Sequence, residues 1–141
     1  SRVARSAAHA LSALGVGELR LVAPDKLRTR EGEFPGAIST SDVEAGVAGA
    51  DVLMALRIQK ERITESDLPD EREYFKHYGL TAERVALAKP DVIVMHPGPM
   101  NRDVEIASTV ADGPHSVIEE QVTNGVAIRM AVMEAVMESQ S

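Results

Sequence analysis

The chain has no cysteine and no tryptophan among its 141 residues. Without cysteine, disulfides, thiolate nucleophiles and cysteine-based metal sites are excluded. Aromatic residues make up only 3%, too few for a platform on which bases could stack. Positive charge is also short, with 15 Lys and Arg against 22 Asp and Glu, a net charge of -7. A nucleic-acid or acidic-membrane surface needs a basic face, so neither is an expected partner. An anionic ligand would have to be drawn by individual arginines. No apolar run approaches the ~20 residues that span a bilayer. No signal-peptide block opens the chain, because Arg2 and Arg5 sit in an amphipathic segment. No initiator methionine is present, and a helical pattern begins at once, so the segment is expected to start inside a larger protein. What is there is ordinary for a globular domain: 44% hydrophobic and 26% charged residues, in a length that suits one domain with its own core. A cytoplasmic location fits these features.

The most informative stretch is Asp91-Val-Ile-Val-Met-His-Pro-Gly-Pro-Met-Asn-Arg102. Residues 92–95 are apolar and rich in β-branched side chains, which predicts a strand buried on both faces, as in a parallel sheet. Pro97, Gly98 and Pro99 cannot continue a central strand, since proline has no N–H for the ladder. The chain therefore leaves the sheet at His96 in a stiff turn. Ligands of open α/β sheets bind beyond the carboxyl ends of the strands, so a rigid loop followed by Asn101 and Arg102 is a candidate site.

The rest of the chain alternates helices and strands. Val3, Ala7, Ala10, Leu11 and Leu14 predict a first helix, closed by Gly15 and Gly17. Residues 19–23 read as a strand and 26–36 as a loop. Residues 39–42 (Ser-Thr-Ser-Asp) offer N-cap side chains for a short helix over 43–48, and 51–56 form a second strand. Ser66 and Asp67 can cap a segment carrying Glu71, Tyr74 and Phe75, and Thr81 starts a helix reaching about residue 88. Asp112-Gly-Pro114 is a turn. Ser116 with Glu119 has the capping-box pattern. It precedes one long terminal helix whose Met130, Met133 and Met137 are read as core packing. The fold class is α/β, a three-layer domain with a mainly parallel, doubly wound sheet flanked by helices.

If the sheet is parallel, strands 51–56 and 92–95 end on one edge, and Arg57 and His96 share a rim. Arg57 can grip a carboxylate through two parallel N–H···O bonds, a planar fit that lysine lacks. Gln59, two residues on in an extended segment, would point the same way. Lys60 and Arg62 read as solvated charges. Arg102 and Glu105 read as an ion pair that staples the loop. His96 has no partner at a nucleophile spacing and is expected to orient the loop through a hydrogen bond. His9, His77 and His115 show no metal-ligand spacing. Gly15-Val-Gly17 does not follow a strand, so it is not a dinucleotide fingerprint.

Four segments together carry a family likeness: Ser1-Arg-Val-Ala-Arg-Ser6, Leu56-Arg-Ile-Gln-Lys-Glu-Arg62, Met95-His-Pro-Gly-Pro-Met-Asn-Arg102 with Val104-Glu-Ile106, and Gln121-Val-Thr-Asn-Gly-Val-Ala-Ile-Arg-Met-Ala131. In order and spacing they resemble the aspartate carbamoyltransferases, over the whole chain but only for the C-terminal, aspartate-binding half of that enzyme. The related ornithine enzymes are less similar, being expected to carry a His-Cys-Leu-Pro loop. The resemblance implies that Arg2 and Arg57 bind the two carboxylates of L-aspartate, with Gln59 in support. It also implies that Gly98 and Pro99 present carbonyls to carbamoyl phosphate across a cis Gly98–Pro99 bond, with His96, Pro97, Arg102 and Glu105 supporting the loop. No metal or organic cofactor is implied. The implied partners are an N-terminal carbamoyl-phosphate domain absent from this chain and a homotrimer of the whole catalytic chain, with regulatory or dihydroorotase-like subunits as further candidates. Asp103 departs from the family pattern, where a glycine is expected. The phosphate-binding Ser-Thr-Arg-Thr motif is absent, so the chain alone is expected to be catalytically incomplete. Two alternatives remain open: a carbamoyltransferase for another amino acid, and a non-catalytic partner subunit.

Overall fold

The computed structural model describes residues 2–30, 32–58 and 70–139. Helix α1 (Arg2–Ala13) is followed by strand β1 (Arg20–Val22), a single 3-10 turn (Asp25–Leu27) and strand β2 (Ile38–Thr40). Then come α2 (Val43–Val47), β3 (Val52–Met54), α3 (Glu71–Tyr78), α4 (Ala82–Val85), β4 (Ile93–Met95), α5 (Ser108–Ala111) and α6 (Ile118–Glu138). The α/β class with parallel strands and a long terminal helix is as expected. Among the described residues the strands form two parallel pairs, β1 with β2 and β3 with β4.

One short polar strand escaped the pattern. The sequence reading took Ser39 and Thr40 as cap residues, but with Ile38 they form β2, in register with Arg20 to Val22. Only Asp42 caps: its side chain accepts the Ala45 N–H at 3.0 Å, satisfying one of the donors that a helix start leaves unpaired. The other end of α2 is closed from β1. The Arg20 guanidinium donates to the carbonyls of Ala45 at 3.2 Å and Ala48 at 2.6 Å, the expected use of a cation where helix carbonyls run out of partners.

The expected caps at Ser66 and Asp67 lie outside the described residues, and Asp70 caps α3 by accepting the Glu71 N–H at 2.7 Å. Thr81 caps α4 as expected. The box at Ser116 and Glu119 does not form. Val117 takes the N-cap position of α6 without a side-chain bond, because Ser116 sits one residue too early. In α1 the less exposed face is Ala4, Ala7, Ala8 and Leu11, while Val3 and Leu14 of the expected stripe are exposed.

The core gathers around β4. Val92 and Val94 are buried with Leu53, Leu80, Val85, Ile106, Val110 and Ile118. Beyond β4, Val94 donates to the His115 carbonyl at 2.8 Å and accepts from the Val117 N–H at 3.0 Å, so residues 115–117 extend the parallel ladder. The strand is not buried on both faces as its composition suggested. Ile93 is exposed and Met95 half-buried, whereas Val92, Val94 and His96 share the buried face. Strand side chains alternate with period two, and His96, the third on that face, is carried into the core.

Candidate functional site

The Ala55 N–H donates to the Met95 carbonyl at 3.0 Å, one step beyond the registered pair Met54 and Met95. The two strands therefore end level. Arg57, half-buried, follows β3 by three residues, and His96 follows β4 directly. Parallel pairing brings the arginine segment and the His96 loop to one rim. Arg2 opens α1, and its side chain lies outside the described residues, as do Gln59, Lys60, Glu61 and Arg62.

The loop is held by its own polar groups. The Gly98–Pro99 bond is cis, as the resemblance implied, and Gly98 has φ 63°. That left-handed conformation suits a residue without Cβ. The Gly98 N–H donates to His96 Nδ1 at 2.9 Å. An Nδ1 that accepts carries no proton, so this bond assigns the tautomer with hydrogen on Nε2. His96 is fully buried and Nε2 stands 3.3 Å from Glu105 Oε1, itself on a buried side chain. The pair is close but not aligned as a hydrogen bond. Among the described residues His96 Nε2 and Glu105 Oε2 have no hydrogen-bond partner. Glu105 Oε1 accepts the Asn101 N–H at 2.5 Å, which holds the far end of the turn. Among the described residues the carbonyls of Gly98 and Pro99 accept no hydrogen bond. Pro97 and Pro99 are exposed and contribute fixed φ angles.

The expected ion pair between Arg102 and Glu105 does not form. Arg102 instead makes a two-pronged contact with Asp112, at 2.6 and 2.7 Å. Its hydrogen bond holds the Asp112 carboxyl below the usual carboxylate range and pushes the guanidinium up. Glu105 points the other way, into the core toward His96, because it lies between buried Val104 and Ile106 in a turn bridged to Leu80.

Asp103, which stands where glycine was expected, has φ 58°. Asp is among the few non-glycine residues that tolerate this region. Its carboxyl adds a use glycine lacks, accepting the Ser108 N–H at 2.9 Å and the Ser108 hydroxyl at 3.0 Å at the start of α5.

Tyr74 of α3 was not singled out as a site residue. Burial, the charge of Glu105 and the neighbouring Tyr78 push its hydroxyl up to about 12 from 10.0. A folded-state value above the unfolded one favours the fold below pH ~10 and loses that advantage as pH rises through about 12. Titration followed by tyrosinate absorbance is expected to resolve one of the chain's two tyrosines near 12, and Tyr74→Phe should remove that step. A Tyr74 step near 10 instead would show that it is not held in this environment.

Among the described residues no group of three or more His, Asp or Glu is arranged to hold a metal ion, and no helix is long and apolar enough to cross a membrane. The rim instead carries Arg57, half-buried, beside a loop stiffened by two prolines and a cis peptide bond.

Residues 1–136 match the family model described as aspartate/ornithine carbamoyltransferase, Asp/Orn binding domain. This chain belongs to that family. It is 54% identical over 134 residues to the aspartate carbamoyltransferase catalytic subunit of Ruthia magnifica subsp. Calyptogena magnifica. That alignment covers 95% of this chain and 42% of the relative, so the chain spans well under half of the relative's length. Its fold is that of ornithine carbamoyltransferase from Pyrococcus furiosus, with a TM-score of 0.80 at 24% identity over 92% of this chain and 44% of that one. The ornithine carbamoyltransferase from Burkholderia thailandensis gives 0.70 at 24% identity, over 92% and 42%.

Proposed function

We propose that this chain is the L-aspartate-binding domain of an aspartate carbamoyltransferase catalytic chain. In this reading residues 1–141 are one domain. The whole enzyme transfers the carbamoyl group of carbamoyl phosphate to L-aspartate, giving N-carbamoyl-L-aspartate and phosphate, the committed step of pyrimidine synthesis. The aspartate amine attacks the carbamoyl carbon, a C–N bond forms, the C–O bond to phosphate breaks, and the amine proton leaves with the phosphate. Arg57, with Arg2 and Gln59, would grip the aspartate carboxylates. The carbonyls of Gly98 and Pro99 would accept from the carbamoyl amino group, and His96, Glu105, Pro97 and Arg102 would keep the loop in place. Rate would then come from orientation and preset dipoles, with no cofactor needed. The missing carbamoyl-phosphate half, a homotrimer of whole chains, possible regulatory or dihydroorotase-like subunits and a cytoplasmic setting complete the reading.

The observation that carries it is the meeting of Arg57 and the His96 loop on one rim in a chain 54% identical to an aspartate carbamoyltransferase subunit. The test is carbamoyl-aspartate production from carbamoyl phosphate and L-aspartate. It is run on this domain alone, on the domain mixed with a carbamoyl-phosphate half, and with ornithine replacing aspartate. Activity only in the mixture and only with aspartate is expected. Transfer to ornithine would reassign the substrate. Silence from two halves shown to associate would point to a non-catalytic partner.

A further inference from the structure

The parallel ladder beside β4 stops one bond short. Val94 N–H donates to the His115 carbonyl and Val117 N–H to the Val94 carbonyl. The next donor in that pattern is His96 N–H, and its regular acceptor would be the Val117 carbonyl. That carbonyl is already used, because it accepts the Gln121 N–H at 2.8 Å and closes the first turn of α6. The missing acceptor comes from a side chain. Gln121 Oε1, one helical turn on, accepts the His96 N–H at 2.9 Å. Val122 of the same turn lies beside the loop at Gly98, where an added Cβ would stand 3.7 Å from Val122 Cγ2.

From this geometry we propose that Gln121 is a positioning residue that couples α6 to the substrate loop. The chain of contacts is short. Gln121 fixes the peptide entering His96, the His96 ring takes the Gly98 N–H, and Gly98 and Pro99 present the carbonyls assigned to carbamoyl phosphate. The carbamoyl-phosphate role rests on the function proposed above. The coupling itself rests only on the hydrogen bonds.

The experiment uses the complete catalytic chain carrying this domain, with Gln121→Met, which keeps length and helix propensity but has no acceptor oxygen, and Gln121→Glu, which keeps one. Gln121→Leu serves if the methionine variant does not fold. KM is measured separately for carbamoyl phosphate and aspartate, and deuterium exchange is followed in peptides covering residues 93–101. Gln121→Met should raise the carbamoyl-phosphate KM about tenfold, the worth of one hydrogen bond, and move the aspartate KM by less than about twofold. Exchange in the loop should speed up, and Gln121→Glu should restore both. Unchanged loop exchange in a folded Gln121→Met chain would overturn the coupling. So would equal shifts of both KM values, or a glutamate variant as impaired as methionine. A wild-type chain that makes no carbamoyl-aspartate would remove the proposed function, and loop exchange would still decide whether Gln121 holds His96.

Discussion

Arg57→Ala is expected to lower kcat/KM for aspartate by about 100-fold to 1000-fold, with carbamoyl-phosphate binding nearly unchanged. The estimate follows from two charge-assisted hydrogen bonds to one carboxylate, roughly 1.5–3 kcal/mol each, partly replaced by water in the variant. At about 1.4 kcal/mol per tenfold, a net loss of roughly 3–4 kcal/mol gives that range. Arg57→Lys separates charge from shape. Lysine keeps the positive charge but not the planar fork, so its activity should fall between wild type and alanine. The measurement is steady-state kinetics with aspartate varied in the complete chain, beside direct binding of carbamoyl phosphate. A loss under about tenfold for alanine would take Arg57 out of the carboxylate contact, since one charged hydrogen bond alone is worth that much.

Glu105→Ala is expected to cost about 3 kcal/mol or more of stability. The carboxyl is buried, accepts the Asn101 N–H and lies 3.3 Å from His96 Nε2. Removing it takes the acceptor from the part-buried Asn101 N–H, a loss of about 1–3 kcal/mol, and removes the oxygen nearest to His96 Nε2. The deleted methylenes add a cavity term. For a domain of this size the thermal midpoint should drop by on the order of 10 °C. Glu105→Gln keeps an acceptor oxygen of the same reach and should recover a large part of the loss. A thermal midpoint for alanine within about 2 °C of wild type, less than roughly 1 kcal/mol, would show that the pair does not brace the loop.

Much of the site's position was legible. The β-branched run ending at Pro97, Gly98 and Pro99 announced a strand that stops abruptly. Helix and strand patterns alternated, so parallel pairing followed, and with it the shared rim of Arg57 and His96. Caps at Asp42 and Thr81 were readable because their partners lie three residues away. Gln121 stood within a segment quoted for the family likeness, but no local signal pointed to its role. Its partner His96 is 25 positions distant. The one usable hint was a glutamine in the first turn of a helix following a strand.

The readings that failed share a cause. β2 spans three residues, too few to show a period, and two of them are hydroxyl side chains that also suit caps. Arg102 and Glu105 are close in sequence and opposite in charge, which favoured pairing them. The turn between them instead sends Arg102 out to Asp112 and Glu105 into the core. Met130, Met133 and Met137 lie on a helix exposed in this chain, with Met137 73% accessible. Apolar spacing announces a face that prefers burial, but not what covers it.

By itself, then, the sequence determined the α/β alternation of elements, the stiff turn at His96 to Pro99 and the arginine that follows the neighbouring strand. These depend on backbone rules acting over a few residues: proline without a donor, glycine at positive φ and caps within one turn. Tertiary structure alone decided which polar groups meet. Buried Glu105 faces His96, Gln121 completes the ladder of β4, and Asp103 takes the glycine position and bonds Ser108 at the start of α5. Each of those choices is set by which chain segments pack side by side, since a buried polar atom must find its partner among whatever neighbours the packing supplies.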